Sequence, residues 1–154
     1  MRKGPIMSEF QAGAYAGDVD VKTAWNDLAK TASAVLIDVR TKAEWAYVGV
    51  PVLDSIGKAS LFIEWDDFAT GAIVPDFNGR LKAALDQRRV DRDAPLYFIC
   101  RSGNRSRQAA VAATSAGYGR AYNISHGFEG RLDTERHRAS PGSWKAEGFP
   151  WVQS

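Results

Sequence analysis

The sequence contains one cysteine, two histidines and two methionines among its 154 residues. Because a lone cysteine cannot form an internal disulfide, the hydrophobic core has to stabilise the fold, as is usual in a reducing compartment. A metal site is disfavoured for a related reason, since only His126 and His137 could assist Cys100 as soft ligands. The composition therefore excludes a disulfide scaffold and leaves one thiol to be explained.

Long apolar runs and long runs of one charge are also absent. No segment approaches the roughly 18 consecutive apolar residues of a membrane span, and the basic tip at Met1–Ser8 is not followed by a signal-peptide core. Lys and Arg outnumber Asp and Glu by only 20 to 18, which gives little support for nucleic-acid binding. We therefore expect a cytoplasmic protein with neither nucleic acid nor membrane as a partner.

Short apolar runs alternate with helical patterns along the chain. Val35–Val39 and Leu96–Ile99 are typical of strands that are buried on both faces, and 60–63 and 121–124 are weaker strand candidates. Helical patterns cover the segments 21–30, 41–48, 78–89 and 106–116. This alternation predicts an α/β fold with a parallel sheet and helices on both of its faces.

The length suits one domain with a full hydrophobic core. We assign residues 1–17 to a partly flexible N-terminal extension and residues 18–151 to a single domain. The segment 49–78 is the hardest to interpret, because it mixes prolines and glycines with aromatic residues. We expect a strand followed by a long ordered excursion, whose aromatic side chains fill the core or line a pocket.

The cysteine ends one predicted strand and begins a loop that leads into a helix. The segment reads Cys100-Arg101-Ser102-Gly103-Asn104-Arg105-Ser106. Ligands of parallel α/β sheets bind at the carboxyl ends of the strands, which is where the cysteine falls. Gly103 and Asn104 tolerate the positive φ of a tight loop, so successive backbone N–H groups can turn inward and hold an anion.

Positive charge surrounds this loop and favours a reactive thiolate. The helix predicted to begin near Ser106 directs the positive end of its dipole at the loop, and Arg101 and Arg105 add full charges. The alternative interpretation is a small, inert core residue, as free cysteines often are. The residue types after Cys100 favour a nucleophile.

The cysteine loop resembles the active loop of rhodanese-family sulfurtransferases, and three further segments match in the same order. Residues 36–45 contain Asp-Val-Arg followed by Glu-Trp, 124–130 resemble the glycine-rich segment after the last strand, and 144–151 resemble the tail of single-domain members. The resemblance covers about residues 18–151. It implies a three-layer fold with a mostly parallel, five-stranded central sheet and a tail whose tryptophans pack over that sheet.

The resemblance also implies roles for individual residues. Cys100 would carry sulfur as a persulfide, and residues 101–105 would bind the substrate. Asp38 and Arg40 would be structural residues near the site that fix a turn from strand to helix. No metal or organic cofactor is implied.

Two details of the loop separate related activities. Four residues lie between Cys100 and Arg105, one fewer than in phosphatases of related fold, so the ring suits a sulfur atom better than a phosphate group. A basic residue after the cysteine, here Arg101, accompanies thiosulfate in this family, whereas glycine accompanies mercaptopyruvate. We expect transfer of a sulfane sulfur from thiosulfate or a similar small donor to cyanide, a thiol or a protein thiol.

Two alternative functions remain open. A sulfur carrier or sensing module would use the same loop and dock a protein partner through residues 49–78. In that segment Gly49–Ala59 replaces the Gly-His-Ile-Pro-Gly-Ala that is common in the family, and the histidine is missing. A cysteine phosphatase or arsenate reductase is disfavoured by the length of the loop.

Overall fold

A computed structural model describes residues 14–153. The strands are β1 (Gly17–Val19), β2 (Val35–Asp38), β3 (Val50–Pro51), β4 (Leu61–Phe62), β5 (Leu96–Ile99), β6 (Ala121–Ile124) and β7 (Trp151–Val152). The helices are α1 (Val21–Lys30), α2 (Lys42–Tyr47), α3 (Phe77–Gln87) and α4 (Asn104–Ser115). Of the extension predicted at 1–17, residues 1–13 lie outside the described residues, and Gly17 begins β1.

Five strands form one sheet in the order β1-β6-β5-β2-β4, and every pairing within it is parallel. The predicted α/β fold with a five-stranded central sheet is therefore confirmed. All residues of β2 and β5 are buried, which explains their uninterrupted apolar sequences. A second, antiparallel sheet joins β3 to β7. None of the described helices is long and apolar enough to cross a membrane.

Alternate residues of the central strands point to opposite faces of the sheet, and each face has its own core. Ile37 and Phe98 pack with residues of α3 and α4 on one face. Leu36 and Ile99 pack with residues of α1 on the other, together with Trp144 from the C-terminal segment. The helices therefore cover both faces, and β5 ends between the two cores.

Helix α4 begins at Asn104, two residues earlier than the predicted start near Ser106. Gly103 is its N-cap residue and has a φ of +111°. Asn104, which also tolerates a positive φ, lies in the first helical turn instead and has no positive φ. One glycine is sufficient to turn the chain, so the helix starts closer to Cys100 than the sequence predicted.

The aromatic residues of the segment 49–78 fall into two groups. Trp65 is buried and packs edge-on against Phe77 at the start of α3. Phe68 is 70% exposed, and Phe62 is 41% exposed. Some of these aromatic side chains thus fill the core, as one of the two interpretations of this segment required, and others lie at the surface.

A buried ion pair fixes the turn that follows β2. The guanidinium of Arg40 donates to both carboxylate oxygens of Asp38, at 2.9 Å from Nε and 2.6 Å from Nη2, and neither side chain is exposed. Nη2 also donates to the carbonyl of Gly49 at 2.8 Å, and the guanidinium lies 4.2 Å from the ring centroid of Phe128. The pair therefore ties β2 to the chain after α2 and to the loop after β6.

Replacing Arg40 with methionine should lower the free energy of unfolding by about 3–5 kcal/mol, because Asp38 would remain buried without its partner. Urea unfolding at neutral pH measures this change. The exposed pair Lys82–Asp86 provides a control, and Lys82→Met should cost less than about 1 kcal/mol. The double variant Asp38→Asn/Arg40→Met should recover part of the loss. A single Arg40 variant as stable as the control would contradict this interpretation.

Candidate active site

Cys100 directly follows β5, so its thiol lies at the carboxyl edge of the central sheet. The residue is 1% exposed. Its Sγ atom accepts a hydrogen bond from the backbone N–H of Gly103 at 3.1 Å and lies 3.1 Å from Oγ of Ser106. Because the first turn of a helix has N–H groups without intrahelical acceptors, the start of α4 provides a positive environment beside this sulfur.

The residue at position 103 has to be glycine for two reasons. Its φ lies in the left-handed region, which side chains other than glycine rarely adopt. A Cβ atom there would also lie much closer to the Ser125 carbonyl oxygen than van der Waals contact allows. The cysteine loop therefore packs directly on the backbone of the chain after β6.

The segment after β6 holds the cysteine loop through its backbone. The N–H of Phe128 donates to the carbonyl of Cys100 at 2.8 Å, and those of Glu129 and Gly130 donate to the carbonyl of Arg101 at 3.0 Å. At Gly127 a Cβ would lie 2.5 Å from the same Arg101 oxygen. The sequence marked this segment only as glycine-rich, since backbone hydrogen bonds leave no signature in side-chain types.

A polar chain that is buried as far as Asn123 connects the thiol to Asp18 of β1, and sequence reasoning missed it. Ser106 Oγ donates to Oδ1 of Asn123 at 2.5 Å, and Nδ2 of Asn123 donates to Asp18 at 2.9 Å. Since the one hydroxyl proton of Ser106 goes to Asn123, the same oxygen is left to accept from the Cys100 thiol. The available signal was the polar Asn123 within an otherwise apolar strand.

Arg105 forms a two-point ion pair with Glu44 at the third position of α2. Its Nη1 and Nη2 atoms donate to the two carboxylate oxygens at 2.7 Å and 3.0 Å, and Nη1 lies 3.4 Å from Oδ1 of Asp66. Burial works against both charges, but Glu44 outweighs it and holds the pKa of Arg105 above its ordinary value. In the same way Arg105 holds the pKa of Glu44 below its usual range. Glu44 was not among the residues predicted from the sequence.

The other predicted loop residues differ in exposure. Arg101 and Asn104 are exposed, and Ser102 is partly exposed. Within the described part of the chain, the Arg101 guanidinium makes no hydrogen bond or ion pair. Of residues 101–105, Gly103 is the one that bonds to the sulfur directly in the described part of the chain.

A surface cavity of about 260 Å³ opens beside the cysteine loop. Its wall includes Arg101 and Arg105, three carboxylates and an exposed aromatic ring, namely Glu44, Asp66, Asp67 and Phe68. Cys100 is buried and does not line the cavity. A larger cavity of about 350 Å³ lies where β2 begins, at the opposite edge of the sheet from the thiol, so we base the site on the smaller one.

Comparisons with known proteins identify the family. The family model of the rhodanese-like domain matches residues 20–133. The chain is 36% identical over 128 residues to an uncharacterized protein of Rickettsia rickettsii, across 83% of this chain and 90% of that protein. It is 34% identical over 128 residues to an uncharacterized protein of Rickettsia prowazekii, with the same coverage. The chain belongs to the rhodanese-like family, as the four motifs predicted.

Two solved structures are similar to the whole chain. Rv0390 from M. tuberculosis is 45% identical with a TM-score of 0.80, across 91% of this chain and 99% of that one. The polysulfide-sulfur transferase of Wolinella succinogenes is 20% identical with a TM-score of 0.54, across 98% and 95%. The second similarity shows the fold alone. The family and the first structural similarity together define a rhodanese-like domain.

The contact between residue 103 and the chain after β6 can be tested with alanine. Gly103→Ala should lower the free energy of unfolding by about 1–3 kcal/mol, because it adds backbone strain to a steric clash. Gly119 is a suitable control, since nothing lies within 4 Å of a Cβ built there, and its alanine variant should change stability by less than about 0.5 kcal/mol. Equal urea midpoints for the two variants would contradict the close packing.

Proposed function

We propose that the protein transfers a sulfane sulfur through a persulfide on Cys100. The observation that carries the proposal is the hydrogen bond from the Gly103 N–H to Sγ at the start of α4. A persulfide places negative charge on its outer sulfur, and N–H groups already oriented toward that charge stabilise it without reorganisation. We assign these groups to the backbone of residues 101–105, of which Gly103 already donates to Sγ, and the proposed reaction uses no metal or organic cofactor.

The reaction has two steps with thiosulfate as the donor. The Cys100 thiolate attacks the outer sulfur, the S–S bond of thiosulfate breaks, and sulfite leaves with the bonding electron pair. The persulfide anion remains on the enzyme. Cyanide, a thiol or a protein thiol then attacks the outer sulfur and regenerates the thiolate, as in other covalent mechanisms. A reducing compartment such as the cytoplasm would keep the thiol available for this cycle.

The burial of the thiol favours sulfur transfer over phosphate-ester hydrolysis. With Cys100 only 1% exposed, the small terminal sulfur of a donor fits the approach better than a phosphate group. Within the loop, Arg101 is the residue that we propose for binding the anionic donor, because its guanidinium is exposed and lines the cavity. Ser102 and Asn104 would contribute backbone N–H groups.

The exposed ring of Phe68 favours a second candidate function. It lines the same cavity as Arg101 and is 70% exposed, as a surface that docks a protein acceptor or donor requires. In that case the domain would carry sulfur on Cys100 without turnover on small molecules. A persulfide that forms on Cys100 but is not removed by cyanide or a small thiol would favour this function.

Intact-protein mass spectrometry after addition of thiosulfate tests the persulfide. The wild type should gain about 32 Da, the mass of one sulfur atom, and lose it when cyanide is added. Cys100→Ser should gain nothing while keeping the circular dichroism spectrum of the folded protein, since the two side chains differ by one atom. A gain on the serine variant, or none on the wild type with thiosulfate or polysulfide, would overturn the proposal.

The role of Arg101 is tested by its alanine variant. If the guanidinium only binds the donor, Arg101→Ala should raise KM for thiosulfate about tenfold and leave kcat nearly unchanged. Lys22→Ala, which removes an exposed charge from α1, should leave both constants unchanged. A matching rise in the Lys22 variant would show a nonspecific effect of charge, and an unchanged KM in the Arg101 variant would contradict the assignment.

A further inference from the structure

The charge of Arg105 is already paired in the absence of substrate. Both of its terminal nitrogens donate to Glu44, and Asp66 lies close to one of them. The three side chains are only 12–20% exposed, so water screens the pair less than it would at an open surface. A dianionic donor that approaches Cys100 would have to compete with a carboxylate for this guanidinium.

The cavity beside Cys100 carries more negative than positive charge. Glu44, Asp66 and Asp67 face two guanidiniums, those of Arg101 and Arg105. Of these two, Arg105 is held by carboxylates and Arg101 is exposed. One available positive charge matches a donor with one negative charge better than a donor with two.

We propose that Glu44 determines donor specificity, because it withholds Arg105 from dianions and favours singly charged sulfane-sulfur donors. This inference rests on the proposed persulfide chemistry. A thiosulfonate, R–SO₂–S⁻, is such a donor: the Cys100 thiolate attacks its outer sulfur, the S–S bond breaks, and a sulfinate leaves with the bonding pair. Thiosulfate reacts in the same way but binds more weakly.

The structure allows the charge of Glu44 to be removed while its role in the helix is kept. Glu44 is the third residue of α2 and forms a capping box with Thr41, in which Oε1 accepts from the Thr41 N–H at 3.2 Å and Oγ1 of Thr41 accepts from the Glu44 N–H. Glutamine forms the same capping box. Glu44→Gln therefore removes the two-point partner of Arg105, leaves the longer 3.4 Å contact with Asp66, and has little effect on the start of α2.

The experiment compares two donors in two charge variants. Asp67→Asn is the matched control, because it removes one negative charge from the same cavity, and its side chain can still accept the Ala69 N–H that Asp67 Oδ1 accepts at 3.0 Å. Glu44→Gln should lower KM for thiosulfate about tenfold and KM for methanethiosulfonate by less than about threefold. Asp67→Asn should lower both by less than about threefold.

A third variant tests whether the Arg105 guanidinium causes the expected decrease in KM for thiosulfate. Adding Arg105→Ala to Glu44→Gln should return KM for thiosulfate to at least the wild-type value. In this double variant both position 44 and position 105 are neutral, so neither leaves the other as an unpaired charge. Thermal unfolding followed by circular dichroism confirms that each variant is folded. The inference would be overturned if Glu44→Gln and Asp67→Asn lowered KM for thiosulfate equally. It would also be overturned if KM for thiosulfate stayed low in the variant that lacks Arg105.

Mass spectrometry of the wild type after addition of thiosulfate or methanethiosulfonate shows whether a persulfide forms. This measurement separates the proposed persulfide chemistry from the proposed role of Glu44. If neither donor adds a sulfur to Cys100, the proposed chemistry fails and the inference fails with it. If the persulfide forms but Glu44→Gln leaves the preference between the donors unchanged, the inference alone is wrong.

Discussion

The site depends on a contact between two backbones, that of the cysteine loop and that of the chain after β6. Gly103 and Gly127 permit this contact, and three N–H groups after β6 bond to carbonyls at the start of the loop. With its carbonyls held in this way, the loop directs the N–H of Gly103 toward the sulfur. The sulfur environment thus combines a main-chain donor, the Gly103 N–H, with one side-chain hydroxyl, that of Ser106.

The charged side chains near the site form two pairs with different roles. Asp38 and Arg40 are wholly buried and join three segments around the end of β2. Glu44 and Arg105 lie at the cavity wall and join α2 to the start of α4. The first pair therefore supports the scaffold, and the second leaves part of the charge at the cavity wall already neutralised.

The fold and the position of the cysteine loop could be predicted because each is encoded locally. The buried strands β2 and β5 are uninterrupted apolar runs, and Cys100 precedes the residue types that shape its loop. β1 and β7 were missed because two or three residues show no periodicity. The contact of Arg105 with Glu44 spans 61 positions of sequence, and that of Ser106 with Asn123 depends on how α4 lies on β6. Such pairings follow from tertiary structure and leave no local pattern.

The order of strands in the sheet has a consequence for how the protein is synthesised. β1 is the first strand of the sheet along the chain, yet it pairs with β6, and the hydrogen bond between Asp18 and Asn123 joins residues 105 positions apart. Contacts of such high sequence separation form late, because a long loop must close first. During translation the β1 edge of the sheet therefore stays open until β6 has left the ribosome, and the polar chain that ends at Cys100 is among the last parts to assemble.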